Sequence, residues 1–170
     1  EIFGLDDCNE YVTDPLNVDT DSDGISDFDE IFAHLMEPSR HRSDPTKSDT
    51  DSDGLPDGFE VLYSDGQSMD PTADLDGDGA TNYEEWVADT NPTNALSRFR
   101  ILLNNSTASN IVFTSSTNRE YQIQYSTDLK NPGWIETNDW IIGLDPETSV
   151  DVPIIEPYRM NRVDVRIPSE

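Results

Sequence analysis

A twelve-residue acidic pattern recurs three times in the first half of this 170-residue chain, and it limits what that half can become. Asp19-Thr-Asp21-Ser-Asp23-Gly24-Ile25-Ser-Asp27-Phe-Asp-Glu30 returns as Asp49-Thr-Asp51-Ser-Asp53-Gly54-Leu55-Pro-Asp57-Gly-Phe-Glu60. It returns again as Asp74-Leu-Asp76-Gly-Asp78-Gly79-Ala80-Thr-Asn82-Tyr-Glu-Glu85. Carboxylates at alternate positions repel one another, so a solvated, disordered run is the simplest alternative reading. That alternative leaves unexplained why a glycine stands at the same offset in every copy.

The spacing fits a loop folded around a hard cation. Places 1, 3, 5, 9 and 12 carry oxygen side chains and place 6 is glycine, with a main-chain carbonyl offered at place 7. Calcium takes six to eight oxygens, and alternate residues of a tight loop point inward. Glycine supplies the φ > 0 turn that a β-carbon penalises. The predicted ligands are Asp19, Asp21, Asp23, Ile25 (carbonyl), Asp27 and Glu30 in the first loop. Asp49, Asp51, Asp53, Leu55 (carbonyl), Asp57 and Glu60 follow in the second, and Asp74, Asp76, Asp78, Ala80 (carbonyl), Asn82 and Glu85 in the third. Three calcium ions are expected. Glu30, Glu60 and Glu85 are expected to give both oxygens.

A partial fourth copy opens the chain. Gly4, Asp7 and Glu10 fall at places 6, 9 and 12, while the acidic first half is missing. A fourth ion fits there if another chain supplies the oxygens; otherwise the copy is decayed or cut. The chain does not begin with Met and carries no signal peptide, so it reads as a processed product or a fragment.

Composition agrees with ions in place of a large core. Residues 1–97 hold 26 acidic and 3 basic side chains, whereas 98–170 hold 10 and 7, for a total formal charge of -26. Only 34% of residues are hydrophobic. A chain this acidic does not bind a nucleic-acid backbone, which needs cations. No apolar run approaches the ~20 residues of a spanning helix, so membrane insertion is not expected. The charge shift places a boundary near Ala95–Arg98, giving a repeat domain over 1–97 and a second domain over 98–170.

Pro-containing turns separate the loops: Thr13-Asp14-Pro15, Ser43-Asp44-Pro45-Thr46, Met69-Asp70-Pro71-Thr72 and Thr90-Asn91-Pro92-Thr93. Proline cannot sit inside a helix, so no helix leads into a loop and at most a short one leaves it. Phe28–Met36 has the apolar spacing for two or three turns, stopped by Pro38.

These Asp-x-Asp-x-Asp-Gly-x-x-Asp segments joined by Thr-Asp-Pro turns resemble bacterial thrombospondin type 3 repeats over about residues 1–95. Residues 98–170 resemble, less specifically, a small β-sandwich tail found after such repeats in secreted bacterial proteins. The resemblance implies that calcium replaces a hydrophobic core and that the array serves as an extracellular spacer, adhesive stalk or assembly module. It also implies that Asp14, Asp44 and Asp70 touch neighbouring ions. Loop glycines lie 20, 30 and 25 residues apart, so insertions such as 36–42 break the regular period and put rigidity in question. Dockerins also use loops without an incoming helix, but pair two of them in a compact unit.

The second part reads as strands over Arg98–Leu103, Asn110–Thr114, Glu120–Ser126, Trp134–Glu136, Asp139–Ile142, Ser149–Ile154 and Arg162–Ile167, each bounded by Asn, Pro, Gly or Asp. Tyr121-Gln-Ile123-Gln-Tyr125 and Val163-Asp-Val165-Arg-Ile167 alternate with period two, one face apolar and one wet. The expected fold is mostly β plus irregular: a calcium-clamped array with short exit helices, then a fibronectin-like β-sandwich. Trp134, Trp140, Tyr121 and Tyr125 are read as core aromatics in preference to a sugar-binding platform.

No catalytic constellation appears. His34 and His41 lack partners at ligand spacing and read as surface residues. Cys8 has no partner for an internal disulfide and reads as a small buried residue rather than a free thiol or intermolecular link. Overlapping sequons at Asn104 and Asn105 allow glycosylation where the host has that machinery. The chain is therefore expected to be an extracellular or cell-surface calcium-binding structural module and not an enzyme. Its partners are expected to be itself, in a head-to-tail fibre, or surface glycans. The alternative is a carbohydrate-binding or targeting tail of a secreted enzyme.

Overall fold

A computed structural model describes residues 11–36, 43–64, 68–104, 110–128, 130–152 and 160–168. The N-terminal partial loop with Gly4, Asp7, Cys8 and Glu10 lies outside them, as does His41. Two compact units appear, one of residues 1–75 with 81–83 and one of 76–80 with 84–170. The division passes through the third acidic segment, earlier than the charge shift near Arg98.

Each of the three acidic loops runs into a short helix that begins at place 9. Helix α1 spans Asp27–Met36 and α2 spans Asp57–Tyr63. A third helix, α3, spans Asn82–Ala88. Acidic side chains crowd each first turn, where the exposed N–H groups favour negative charge. Ser26 caps α1, its hydroxyl accepting the Asp29 N–H at 3.1 Å. In α2 the Ser64 hydroxyl donates to the Glu60 carbonyl at 2.6 Å and closes the last turn.

The Pro turns are built alike. In each, a side-chain oxygen accepts the N–H two residues on, at 2.9 Å for Asp14, 3.1 Å for Asp44, 2.8 Å for Asp70 and 2.9 Å for Asn91. The Asp44 carboxylate also pairs with Lys47 at 2.6 Å. Burial pushes the Asp44 carboxyl up, but the Lys47 and Thr46 donors together outweigh it and hold it below the usual carboxylate range; the Thr72 donors hold Asp70 low in the same way.

The second unit holds two antiparallel sheets. Strands β1 (Ile101–Asn104), β2 (Asn110–Thr114) and β6 (Glu147–Asp151) form one, with β2 central. In the other, β3 (Glu120–Ser126) pairs along its whole length with β7 (Met160–Arg166). Its opposite edge is shared by β4 (Ile135–Glu136) and β5 (Ile141–Ile142). Inward residues of both sheets meet in one apolar core: Ile111 and Phe113, Tyr121 and Ile123, with Val152. The Tyr121 ring lies 5.1 Å from Phe113, and its phenol oxygen accepts the Ser116 N–H at 2.9 Å. Burial pushes the Tyr121 phenol up.

Two sequence expectations change here. The outer face of β3 is not wet, since Gln122 and Gln124 are buried. Gln122 donates to the Asn138 carbonyl at 3.2 Å, and Gln124 donates to Gln122 at 3.0 Å while accepting from Arg162 at 2.7 Å. Nor do Trp134 and Trp140 belong to the core. They are half-buried, with the Arg162 guanidinium 4.4 Å from one ring centre and that of Arg166 4.1 Å from the other. Arg162 and Arg166, four residues apart and so on one face of β7, provide a partner for each indole, so these rings cover the outer polar face.

Arg119 was silent in the sequence and turns out to hold the C-terminal end of α3. Its guanidinium, on a largely buried side chain, donates to the carbonyls of Val87 at 2.8 Å and Trp86 at 2.6 Å. Both lie in the last turn, where helix carbonyls run short of N–H partners, and the Trp86 carbonyl also accepts the Asp89 N–H at 3.2 Å. Asp89, at φ 57, closes the helix in the left-handed region and accepts from Ser116 and Asn118. Replacing Arg119 with Met should leave the Val87 carbonyl without this donor and the Trp86 carbonyl with the Asp89 N–H alone, and cost about 1–3 kcal/mol. Lys in its place keeps the charge and should recover part of the loss. A thermal midpoint for Arg119→Met equal to that of the parent chain would refute this role.

Candidate metal centre

The loops fold as the spacing requires. Gly24, Gly54 and Gly79 take φ of 97, 105 and 101°, a region costly for any residue with a β-carbon. The residue at place 4 is also left-handed: Ser22 at 64°, Ser52 at 61° and Gly77 at 78°. Serine at two of these positions hid that requirement in the sequence.

Inside each loop, main-chain donors aim the carboxylates. Asp19 accepts from Ser22 at 2.8 Å and from Gly24 at 3.0 Å. Asp49 does the same from Ser52 and Gly54, at 2.7 and 3.0 Å. The place-5 carboxylate accepts the place-7 N–H in all three, at 2.7, 2.9 and 2.9 Å. Oxygens of Asp19, Asp21 and Asp23 then lie within 4.8 Å of one another, as do those of Asp49, Asp51, Asp53 and of Asp74, Asp76, Asp78. Donors on ions with bonds near 2.4 Å sit about that far apart or closer.

Place 9 also carries hydrogen bonds within its own repeat. Asp27 lies outside the group formed by its own loop. Its two oxygens accept from Thr20, one from the N–H and one from the hydroxyl, both at 2.8 Å. Asp57 does the same with Thr50 at 3.1 and 2.6 Å. Each threonine hydroxyl also receives the N–H of the turn aspartate, Asp14 at 2.9 Å or Asp44 at 2.7 Å. The third loop has Leu75 at place 2 and no hydroxyl, and there Asn82 donates to the Asp70 carbonyl at 2.8 Å. Place 9 therefore ties its loop to the preceding Pro turn.

Place 12 is buried in every copy. Glu30 is 3% exposed, Glu60 5% and Glu85 1%. Glu30 lies with Asp23 and Asp57, oxygens of all three within 4.8 Å. Glu60 accepts the Met69 N–H at 2.5 Å. Asp14, Asp44 and Asp70 are in none of the four acidic groups found among the described residues.

Buried polar oxygens remain without a hydrogen-bond partner at Asp21, at both oxygens of Glu30, at Asp76 and at the Asn82 side-chain carbonyl. Such oxygens are costly unless a cation or donor meets them. Burial, reinforced by neighbouring aspartates, pushes Glu30 up to about 8, Glu60 to about 7 and Asp23 to about 6, and raises Asp21 and Asp53. These pKa values are raised on folding, so the folded chain binds more protons than the unfolded one between the ordinary carboxylate range and about 8. Ionisation there opposes folding when no cation is bound. An all-oxygen, acidic, partly buried donor set suits a hard divalent cation such as calcium.

Comparison with protein-family models matches residues 49–63 and 74–95 to the bacterial TSP3 repeat. These segments hold the second and third loops; the first loop has the same geometry but lies outside the match. Comparison with curated proteins and with solved structures gave no match. No helix among the described residues is long and apolar enough to cross a membrane.

Gly54 tests the loop geometry. Alanine there must hold φ near 105°, and its β-carbon would sit 3.4 Å from the Tyr83 ring. Gly54→Ala should cost about 1–2 kcal/mol of calcium-loaded stability. Gly133→Ala, where a β-carbon meets open space at negative φ, should change little. Equal effects of the two in a calcium-loaded melt would count against the loop assignment.

Proposed function

We propose that this chain, whose residues 49–63 and 74–95 are bacterial TSP3 repeats, is an extracellular structural module folded around calcium. One observation carries the reading: in the repeat unit the most buried side chains include Glu30, Asp57 and Glu60, and both Glu30 oxygens lack a hydrogen-bond partner. Carboxylates are not retained in such places for packing; a divalent ion makes their burial favourable. Asp19, Asp21 and Asp23 with Glu30 would hold the first ion, Asp49, Asp51 and Asp53 with Glu60 the second, and Asp74, Asp76 and Asp78 with Glu85 the third. The carbonyls of Ile25, Leu55 and Ala80 would complete them. When bound, the metal supplies charge neutralisation and cross-linking. The sites serve architecture and not catalysis.

Sites of this kind fill in millimolar calcium and stay empty in cytosol, which supports an extracellular or cell-surface location. The two-sheet unit is a fibronectin-like sandwich on this reading. Its support is the order β1-β2-β6 for one sheet and β4/β5-β3-β7 for the other, around a common core. Acidic repeats and a less acidic β unit favour head-to-tail contact, so a spacer, adhesive stalk or filament subunit follows. A sugar-binding tail is the second reading. It draws on Trp134 and Trp140 lying off the core, but each already stacks with an arginine.

Hydrogen exchange of the whole chain in calcium and in chelator tests the proposal. Chelator should remove amide protection from the three loops and their helices while β2 and β3 keep theirs. Calorimetry should count three ions over the same residues. Protection of the loops that is indifferent to chelator would rule out calcium as the organising element.

A further inference from the structure

The first two loops are not independent. The Gly58 N–H, at place 10 of the second loop, donates to the second carboxylate oxygen of Asp23, at place 5 of the first, at 3.1 Å. A β-carbon on Gly58 would run into the Asp23 carbonyl oxygen, so only glycine allows this approach. The approach carries Asp57 to the first loop, where one of its oxygens lies within 4.8 Å of oxygens from Asp23 and Glu30. Asp57 and Glu30 are each 3% exposed, and Glu30 offers two oxygens without a hydrogen-bond partner.

From this geometry we infer that Asp57 of the second loop is a ligand of the first loop's ion, so that this ion is clasped by two successive repeats. The inference rests on the calcium reading and refines it. Place 9 then has two tasks: its threonine contacts anchor its own loop to the Pro turn, and its remaining lone pairs face the ion of the loop before. A carboxylate oxygen can accept a hydrogen bond and bind a metal together. The next pair of loops is arranged in a related way. Asn82, at place 9 of the third loop, is 1% exposed with its amide oxygen unpartnered, and a β-carbon on Gly54 of the second loop would contact the adjoining Tyr83 ring.

Calcium titration of the full chain followed by amide NMR separates the loops. The Gly24 and Gly54 N–H groups each bond the place-1 aspartate of their own loop and so report the first and second ions separately. In Asp57→Asn, a change the third loop carries naturally as Asn82, the Gly24 midpoint should rise at least tenfold. It should rise at least threefold more than the Gly54 midpoint. A smaller difference, or a larger rise at Gly54, overturns the inference. Gly58→Ala keeps every carboxylate but forces the loops apart, and it should raise the Gly24 midpoint in the same sense; an unchanged midpoint overturns the inference even if Asp57→Asn does not fold. On a Glu30→Gln background, Asp57→Asn should add less than twofold at Gly24, and a fully additive effect would mean that the two do not share an ion. If no loop glycine of the parent chain responds to calcium, the calcium reading itself fails.

Discussion

Buried negative charge is the constraint on which the repeat unit depends. A carboxylate moved from water into protein costs several kcal/mol even after relaxation, and pairing or metal binding must offset it. Here Glu30, Asp57 and Glu60 are almost fully enclosed, and few cations are at hand: residues 1–97 contain only 3 basic side chains. Buried apolar side chains in this unit are few as well, with Leu55 and Met69 the hydrophobic ones among the described residues. A site held at a hundred times its dissociation constant contributes about 2.7 kcal/mol. Three such sites reach roughly 8 kcal/mol, within the range of about 5–15 kcal/mol for a whole domain. Calcium can therefore supply what the shared core around Phe113 and Tyr121 supplies between the two sheets.

The loop chemistry divides labour by position. Places 1, 3 and 5 converge because main-chain N–H groups within the loop aim them, which requires left-handed backbone at places 4 and 6. Place 9 is tied to threonine at place 2 and, through that hydroxyl, to the Pro turn. Where threonine is lost, as at Leu75, the partner at place 9 changes from aspartate to asparagine and finds a carbonyl instead. A carboxylate could not donate to that carbonyl, whereas the amide can. The two substitutions within the third repeat thus compensate each other chemically.

Much of this was legible because ligand spacing and glycine placement are local. Three loops, the short helices following them and two strands, Asn110–Thr114 and Glu120–Ser126, emerge with the bounds or places that the sequence indicates. What stayed hidden depends on partners distant in the chain. Nothing near Arg119 in sequence announces that it caps α3, because its acceptors are 32 and 33 residues away. The alternation in β3 gave the inner face correctly, but the outer face depends on Arg162 arriving on β7, which makes Gln124 a buried hydrogen-bonding residue. The same strand moves Trp134 and Trp140 away from the core, since an indole facing a guanidinium need not compete for apolar space.

Uneven spacing between the loop glycines suggests a loosened array, yet the first and second loops touch across a 30-residue interval. The contact is fixed at its ends and not by the length between them. On one side the Ser43-Asp44-Pro45-Thr46 turn is locked by hydrogen bonds from Thr46 and by the Asp44 N–H reaching Thr50. On the other, Thr50 holds Asp57 and Gly58 against Asp23. Closing a longer loop costs only about 0.6 kcal/mol per doubling of its length. Insertions between repeats are therefore cheap as long as the turn, threonine and place-9 residue are kept, and variation in repeat period does not by itself mean loss of contact between neighbouring loops.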